Sequence, residues 1–184
     1  MKANYSTVVD LLLDQKIVAL FQGRSEAGPR ALGNRSILFD PRNPNAKDIV
    51  NRVKRRESFR PFAASVLLEE APKWFDMRGL KESPFMMYAM DAFEEGWEKI
   101  PGVLHVDNTC RIQTVTKSQN KHYYNLIKEF FGRTEVPMLF NTSFNLAGEP
   151  LVHTMDDALD TLRQSEIEYL YLPELEELIT VKNT

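Results

Sequence analysis

The sequence predicts one α/β domain: a single mixed, twisted sheet with helices packed on it. Short apolar runs of strand length alternate along the chain with segments whose apolar residues recur at helical spacing. That alternation is too irregular for a doubly wound sheet. At 184 residues the chain has the length of one domain, enough to bury a sizeable core, and no repeat or low-complexity linker divides it. One domain is therefore expected over residues 1–184, with its core from about 8 to 172.

Ser6 or Thr7 is the expected cap of a first helix through Val8, Val9, Leu11, Leu12 and Leu13. Ile17 to Phe21 is a continuous apolar run, as in a buried strand. A Gly/Pro-rich segment, GRSEAGPRALGNRS, separates it from a second strand at Ile37-Leu38-Phe39. Asn45 to Arg56 reads as a helix with Ile49, Val50 and Val53 on its apolar stripe, and Phe62 to Leu68 as a strand. Residues 69–102 are broken by Pro72, Pro84 and Pro101; within them Phe85, Met86, Met87, Tyr88 and Met90 are expected in the core. Val103–Val106 and Arg111–Val115 predict two strands around a turn at Asp107-Asn108. Lys121 to Phe131 predicts a helix stopped by Gly132, and Met138–Phe140 a strand. Thr154 caps an expected helix from Met155 to about Gln164, and Tyr169–Leu172 is the last expected strand.

Composition narrows the function. The net charge of −3 argues against a bulk nucleic-acid binder. A single cysteine, Cys110, excludes an internal disulfide framework and a multi-thiolate metal centre. The three histidines are widely spaced without a ligand pattern, and no metal ligand is singled out. With no apolar run near 18 residues and no signal-peptide layout, a cytoplasmic protein without a membrane partner is expected. The total charge hides an asymmetry. Residues 24–60 carry ten basic side chains against four acids, and residues 149–184 carry nine acids against Arg163 and Lys182. Arginines interspersed with glycine and proline fit a pocket for a small anion; solvated faces of opposite sign are the plainer alternative.

Four polar segments follow predicted elements. In Gly23–Ser36, glycines permit tight turns while Arg24, Arg30 and Arg35 offer forked donors to phosphate or carboxylate oxygens. The lysine-plus-hydroxyl ending of a P-loop is missing. KRRESFR, residues 54–60, ends the basic helix, where cations also suit the helix dipole. In HVDNTCRIQTV, Arg111 opens a strand, and His105 and Asp107 would share a strand face. His105 is more simply a structural hydrogen-bonding group, and Cys110 a buried apolar one. FNTSFNLAGEP puts Asn141, Thr142, Ser143 and Asn145 directly after a strand, where they can orient phosphate oxygens or a carbamoyl group without added charge.

GRSEAGPRALGNRSILFDPRN, VKRRESFRPFAASV, HVDNTCRIQTV and FNTSFNLAGEPLV, in this order, resemble the C-terminal domain of the nodulation-type and antibiotic-tailoring O-carbamoyltransferases. The resemblance runs from about Val8 to Leu172 and implies a YrdC-like fold, similar to the threonylcarbamoyl-adenylate synthases. It implies that ATP, as substrate, and carbamoyl phosphate give carbamoyl-adenylate in this domain. A separate N-terminal domain of actin/hexokinase-like type, carrying the metal, would pass the carbamoyl group to an alcohol. Mg2+ is compatible with the ATP chemistry. Carried over, the family's ligand contacts fall on Arg30, Lys54, Arg60, Arg111, Ser143 and Asn145, with Arg56 as the alternative to Arg60 in a lysine–x–arginine pair. Lys54, Arg60 and Arg111 would take the catalytic role, neutralising charge on the leaving phosphate. Arg24, Arg30, Arg56, Thr142, Ser143 and Asn145 would bind nucleotide and substrate. Only about twenty residues precede the first motif, too few for the transferase half; a split gene product whose partner is another chain, a stand-alone remnant and an excised piece all fit, and a domain without that half is prone to self-association. A nucleotide- or anion-binding remnant without turnover, and a tRNA or double-stranded RNA binding module, stand as alternatives.

Overall fold

A computed structural model describes residues 1–28 and 30–181; Pro29 of the glycine-rich segment and Lys182 of the acidic tail lie outside them. Eight strands form one mixed sheet: β1 (Val18–Phe21), β2 (Arg35–Phe39), β3 (Ala63–Leu67), β4 (Ala89–Asp91), β5 (Thr109–Val115), β6 (Met138–Ser143), β7 (Tyr169–Leu172) and β8 (Glu177–Thr180). Their order is β4-β5-β3-β6-β2-β1-β7-β8. The β1–β7 and β3–β5 pairs are parallel and the others antiparallel. Every residue of β2 and β3 is buried, polar Arg35, Ser36 and Ser65 included, so both faces of the central sheet are covered.

The longer helices are α1 (Tyr5–Leu13), α2 (Ala46–Val53), α5 (Lys121–Thr134) and α6 (Met155–Arg163); α3 (Ala71–Trp74) and α4 (Glu94–Trp97) are single turns. The cap of α1 is Asn4, not Ser6 or Thr7: its side chain accepts from the Thr7 backbone N–H at 3.0 Å, and Thr7 answers as the other half of a capping box. Thr154 caps α6 in the same way, as expected. Helix α5 continues through Gly132 and stops at Glu135, which takes a left-handed φ of 60° and bonds back to Phe131 O.

Residues 103–106 form no strand. His105 instead closes a turn, its Nδ1 paired with Thr109 Oγ1 at 2.9 Å and its Nε2 with Phe62 O at 3.2 Å, while Asp107 accepts from Thr109. The expected strand-face pair is thus a turn lock. Met86 and Met90 are buried, but Phe85, Met87 and Tyr88 are 62%, 70% and 55% exposed, because this segment lies outside the sheet before the edge strand β4. Strand β8, unexpected in the acidic tail, is tied at its outer side to the N-terminus: the Met1 ammonium donates to Leu178 O and Ala3 N to Glu176 O.

The loop before β2 is held close to α5 at Gly33. This residue has φ +103°, and a Cβ there would come within 2.2 Å of the Tyr123 ring, itself fully buried. Substitution Gly33→Ala is therefore expected to cost about 3 kcal/mol, from overpacking plus a disfavoured φ. Urea denaturation measures it; a loss below about 1 kcal/mol would mean that the loop can lift away from Tyr123.

Candidate anion-binding cleft

Strand register brings the polar segments to one end of the sheet. Ala63 at the start of β3 pairs with both Arg111 on β5 and Asn141 on β6, and Ser36 on β2 pairs with Ser143. Two connected hollows lie there. A small lobe of about 110 Å³ is lined by Arg30, Arg56, Arg111, Asn141, Thr142 and Ser143, with Phe62 and Met86 among its apolar walls. A larger lobe of about 550 Å³ is lined by Arg30, Lys54, Arg56, Arg60, Ser143 and Asn145, with Glu57 on its wall. Arg30, Arg56 and Ser143 belong to both.

The geometry of KRRESFR starts from how α2 ends. The N–H of Arg56 bonds Asn51 O and that of Arg55 bonds Arg52 O, the double closure of a Schellman motif. Arg55 occupies the left-handed position, φ 55°, where glycine is usual, and its side chain donates to Gln164 O. This reversal ends the helix at Val53, earlier than the expected Arg56. It leaves Lys54 pointing inward and Arg56 along the cleft. Asn51, 1% exposed, organises the loop: its Nδ2 donates to Ser58 O and Arg60 O, and its Oδ1 accepts from Arg56 Nε at 2.5 Å.

Lys54 is 2% exposed, and its ammonium donates to Ser143 O (2.5 Å), Asn145 O (2.8 Å) and Asn145 Oδ1 (3.0 Å). It therefore pins the SFN triplet to the end of α2, a contact reinforced by Ala147 N on Lys54 O and by Ser143 Oγ on Asn145 Oδ1. Arg56 lies 4.2 Å over the Phe62 ring, and its Nη2 is buried with no hydrogen-bond partner among the described residues. Arg60 is half-exposed and paired with Glu57 at 2.7 Å.

The cations perturb one another. Burial, then the charge of Arg56, pushes Lys54 down to about 7. Burial, then Arg60, pushes Arg56 down to about 10, and burial with Arg30 lowers Arg111. An anion in the larger lobe would reverse the Lys54 shift. Binding of sulfate, which carries no titratable proton at pH 8, should therefore draw a proton onto the protein, read as a dependence of calorimetric heat on buffer ionisation enthalpy. Heats that do not change with buffer would mean that the anion does not sense Lys54.

Of the residues expected at the site, Arg30, Lys54, Arg56, Arg60, Arg111, Thr142, Ser143 and Asn145 line one lobe or both. Arg24 is exposed and lines neither. Arg35, also read as an anion donor, is a buried strut that donates to Gln22 O, Gly23 O and Asn34 O and stacks on Phe21. Phe62 and Met86 are additional walls of the small lobe, and Asn51 braces Arg56 from behind it. Cys110 is fully buried, and burial pushes its thiol up to about 12. Among the described residues no group of three or more His, Cys, Asp or Glu is arranged to hold a metal ion, and no helix is long and apolar enough to cross a membrane.

The pattern of the family described as Carbamoyltransferase C-terminus matches residues 9–177. The chain belongs to that family. Among its relatives, it is 42% identical to the nodulation protein NolO of Bradyrhizobium diazoefficiens over 167 residues, covering 90% of this chain and 30% of NolO. It is 44% identical to NolNO of Sinorhizobium fredii over 167 residues, 90% of this chain and 25% of that protein. The chain thus spans less than a third of the length of these relatives. The carbamoyltransferase C-terminal fold is shared with full-length HypF in its phosphate- and nucleotide-bound form, with a TM-score of 0.68 at 18% identity, over 98% of this chain and 26% of that one. It is also shared with Sua5 of P. abyssi, with a TM-score of 0.58 at 12% identity, over 97% and 55% of the two chains. The expected YrdC-like architecture is the one observed.

Proposed function

We propose that this carbamoyltransferase C-terminal domain forms carbamoyl-adenylate from ATP and carbamoyl phosphate, for transfer by a further domain or chain. The observation that supports it best is the sharing of Arg30, Arg56 and Ser143 between a small and a large cationic lobe. A planar acyl group fits the small lobe and a polyphosphate the large one, so the shared side chains would surround the atoms that react. The phosphate- and nucleotide-bound form of HypF, which has the same fold, agrees with that reading.

The reaction balances as follows. Water opens the P–O bond of carbamoyl phosphate and releases inorganic phosphate and carbamate. A carbamate oxygen then attacks the α-phosphorus of ATP in line, and pyrophosphate leaves with the electron pair of the broken bond. Arg30 and Arg56 would hold negative charge on the α-phosphate as it builds, and Arg60 would take the leaving pyrophosphate after exchanging Glu57 for it. Arg111 would bind the phosphate of carbamoyl phosphate from the small-lobe side. Ser143 and Asn145, held by Lys54, would orient the phosphate oxygens. No protein nucleophile is required. Magnesium would arrive as the complex of ATP, bound through the substrate's phosphates.

Incubation with ATP and carbamoyl phosphate should release pyrophosphate and yield a carbamoyl-adenylate detectable by mass spectrometry. Normal ATP and carbamoyl phosphate binding with neither product would instead identify an anion-binding domain without turnover. Transfer to an alcohol would belong to the part of the relatives' length that this chain does not cover.

A further inference from the structure

Behind the small lobe lies a chain of buried side chains whose hydrogen-bond polarity is fixed from both ends. Gln113 on β5 is 5% exposed and donates through Nε2 to Leu32 O at 2.9 Å. Its Oε1 accepts from Ser65 Oγ on β3 at 2.7 Å, and Ser65 is fully buried. Asn141 on β6, 1% exposed, donates through Nδ2 to Ser65 Oγ at 2.9 Å and to Ala31 O at 3.1 Å. Ser65 and Gln113 are direct cross-strand partners, and Asn141 stands diagonally across, so all three share one face of the sheet.

The carbonyls of Ala31 and Leu32 can only accept. The amide of Gln113 must therefore present its NH2 to Leu32, its oxygen must take the Ser65 proton, and Ser65 must then accept from Asn141. Both hydrogens of Asn141 Nδ2 are spent, which turns Oδ1 away from the network. This oxygen is buried with no partner among the described residues, and Asn141 lines the small lobe. The same lobe holds the unpartnered Arg56 Nη2. The lobe thus sets a committed acceptor, Asn141 Oδ1, among cationic donors that include Arg56.

We infer that Gln113 and Ser65 are positioning residues that lock Asn141 Oδ1 as an acceptor, so that the small lobe selects an acyl group carrying both N–H and C=O over one carrying C=O alone. This rests on the acyl-adenylate reading above and adds the determinant of acyl choice. A carbamoyl group supplies an N–H for Asn141 and an oxygen for Arg56. An acetyl group has nearly the same shape but would set a methyl against a buried carbonyl oxygen, leaving it unsatisfied.

The test compares carbamoyl phosphate with acetyl phosphate as partner for ATP, measured as pyrophosphate release. Carbamoyl phosphate should be preferred by at least about 30-fold in kcat/KM, the discrimination a site gains by leaving a polar group unpaired with the wrong substrate. Ser65→Ala removes the nearest acceptor of Asn141 Nδ2 and the hydroxyl that holds Gln113 Oε1, loosening an amide that Ala31 O still holds, and should cut that preference about tenfold. Ser65→Thr retains the hydroxyl that donates to Gln113 Oε1 and accepts from Asn141 Nδ2, and should keep the preference. Pyrophosphate affinity within twofold of the parent, on the order of measurement error against a tenfold effect, certifies each variant's cleft. Equal use of the two acyl phosphates by the parent would overturn the inference while leaving adenylate formation intact, whether or not the variants fold. Ser65→Ala with intact pyrophosphate binding and the parent's preference would also overturn it. Turnover of neither acyl phosphate would remove the adenylate reading and this inference with it.

Discussion

Substitution of Arg56 by alanine is expected to lower carbamoyl-adenylate formation by about a thousandfold, the upper range for loss of one preorganised donor to a developing anion. Arg56 borders both lobes, is braced by Asn51 and the Phe62 ring, and keeps Nη2 buried and uncommitted to the protein. Its positive charge stands there at a cost, since burial and Arg60 both oppose it. A bound anion would remove that cost, so much of the arginine's effect would appear where charge is greatest, in kcat. Arg56→Lys should recover little, because an ammonium cannot donate to Asn51 while presenting a second forked donor to the ligand. Steady-state pyrophosphate release gives the comparison, with Arg52→Ala as a control. Arg52 is exposed, paired with Glu166, and lines neither lobe. If Arg56→Ala lost no more than about threefold, a change below a single hydrogen bond to a charged group, the cleft would not be the reacting site.

The other large effect is expected at Lys54, and it falls on stability as well as turnover. Lys54→Met keeps the stem volume but removes the donor from Ser143 O, Asn145 O and Asn145 Oδ1. The loss of these contacts is offset in part by the relief of a buried charge, for a net cost of about 3 kcal/mol. At this chain length that lowers Tm by about 6–12 °C. The pH dependence carries a distinct signature. In the folded protein Lys54 titrates near 7, against the ordinary 10.5. Between those values the unfolded chain holds more protons than the folded one, so stability from this group rises as pH increases above about 7 and its penalty is complete below it. The stability gap between the parent and Lys54→Met should therefore widen from pH 7 to pH 9. A constant gap would mean that the ammonium stays charged throughout, fully paid by its three acceptors.

Much of this arrangement was legible because it is carried by local spacing. Lys54 and Arg56 flank the single residue that takes the left-handed turn after α2, and Ser143 and Asn145 flank Phe144 at the end of β6. Side chains two apart at the end of an element reach the same side, which is how the lysine–x–arginine and serine–x–asparagine patterns, named by the family resemblance, come to line one cleft. Arg111 was legible as a cation opening a run of strand residues. The strands β1, β2, β3 and β6 are readable from their apolar parts, while the polar ends of β2 (Arg35 and Ser36) and β6 (Asn141, Thr142 and Ser143) read as loop.

What stayed hidden depends on contacts between distant segments. Asn51, Ser65 and Gln113 are polar residues that the fold buries, and their work is set by strand register and loop closure, neither of which has a local signal. Arg35 and Arg24 look alike beside Arg30, yet one is drawn under the loop by four backbone carbonyls and the other stays at the surface. The apolar segment Phe85–Tyr88 reads as core by composition. Met86, with φ 55°, turns inward to the small lobe while its neighbours stay outside. In the acidic tail, Leu178 and the N-terminal residues build a strand pair that charge alone obscures.

The central claim is attack on the α-phosphorus of ATP by a carbamate oxygen within this cleft, and exchange of labelled pyrophosphate into ATP tests it most directly. The account predicts incorporation of label into ATP that depends on carbamoyl phosphate, is lost in Arg56→Ala and persists in Arg52→Ala. Exchange that proceeds without carbamoyl phosphate, or carbamoyl-phosphate-dependent formation of ADP with no exchange, would contradict it.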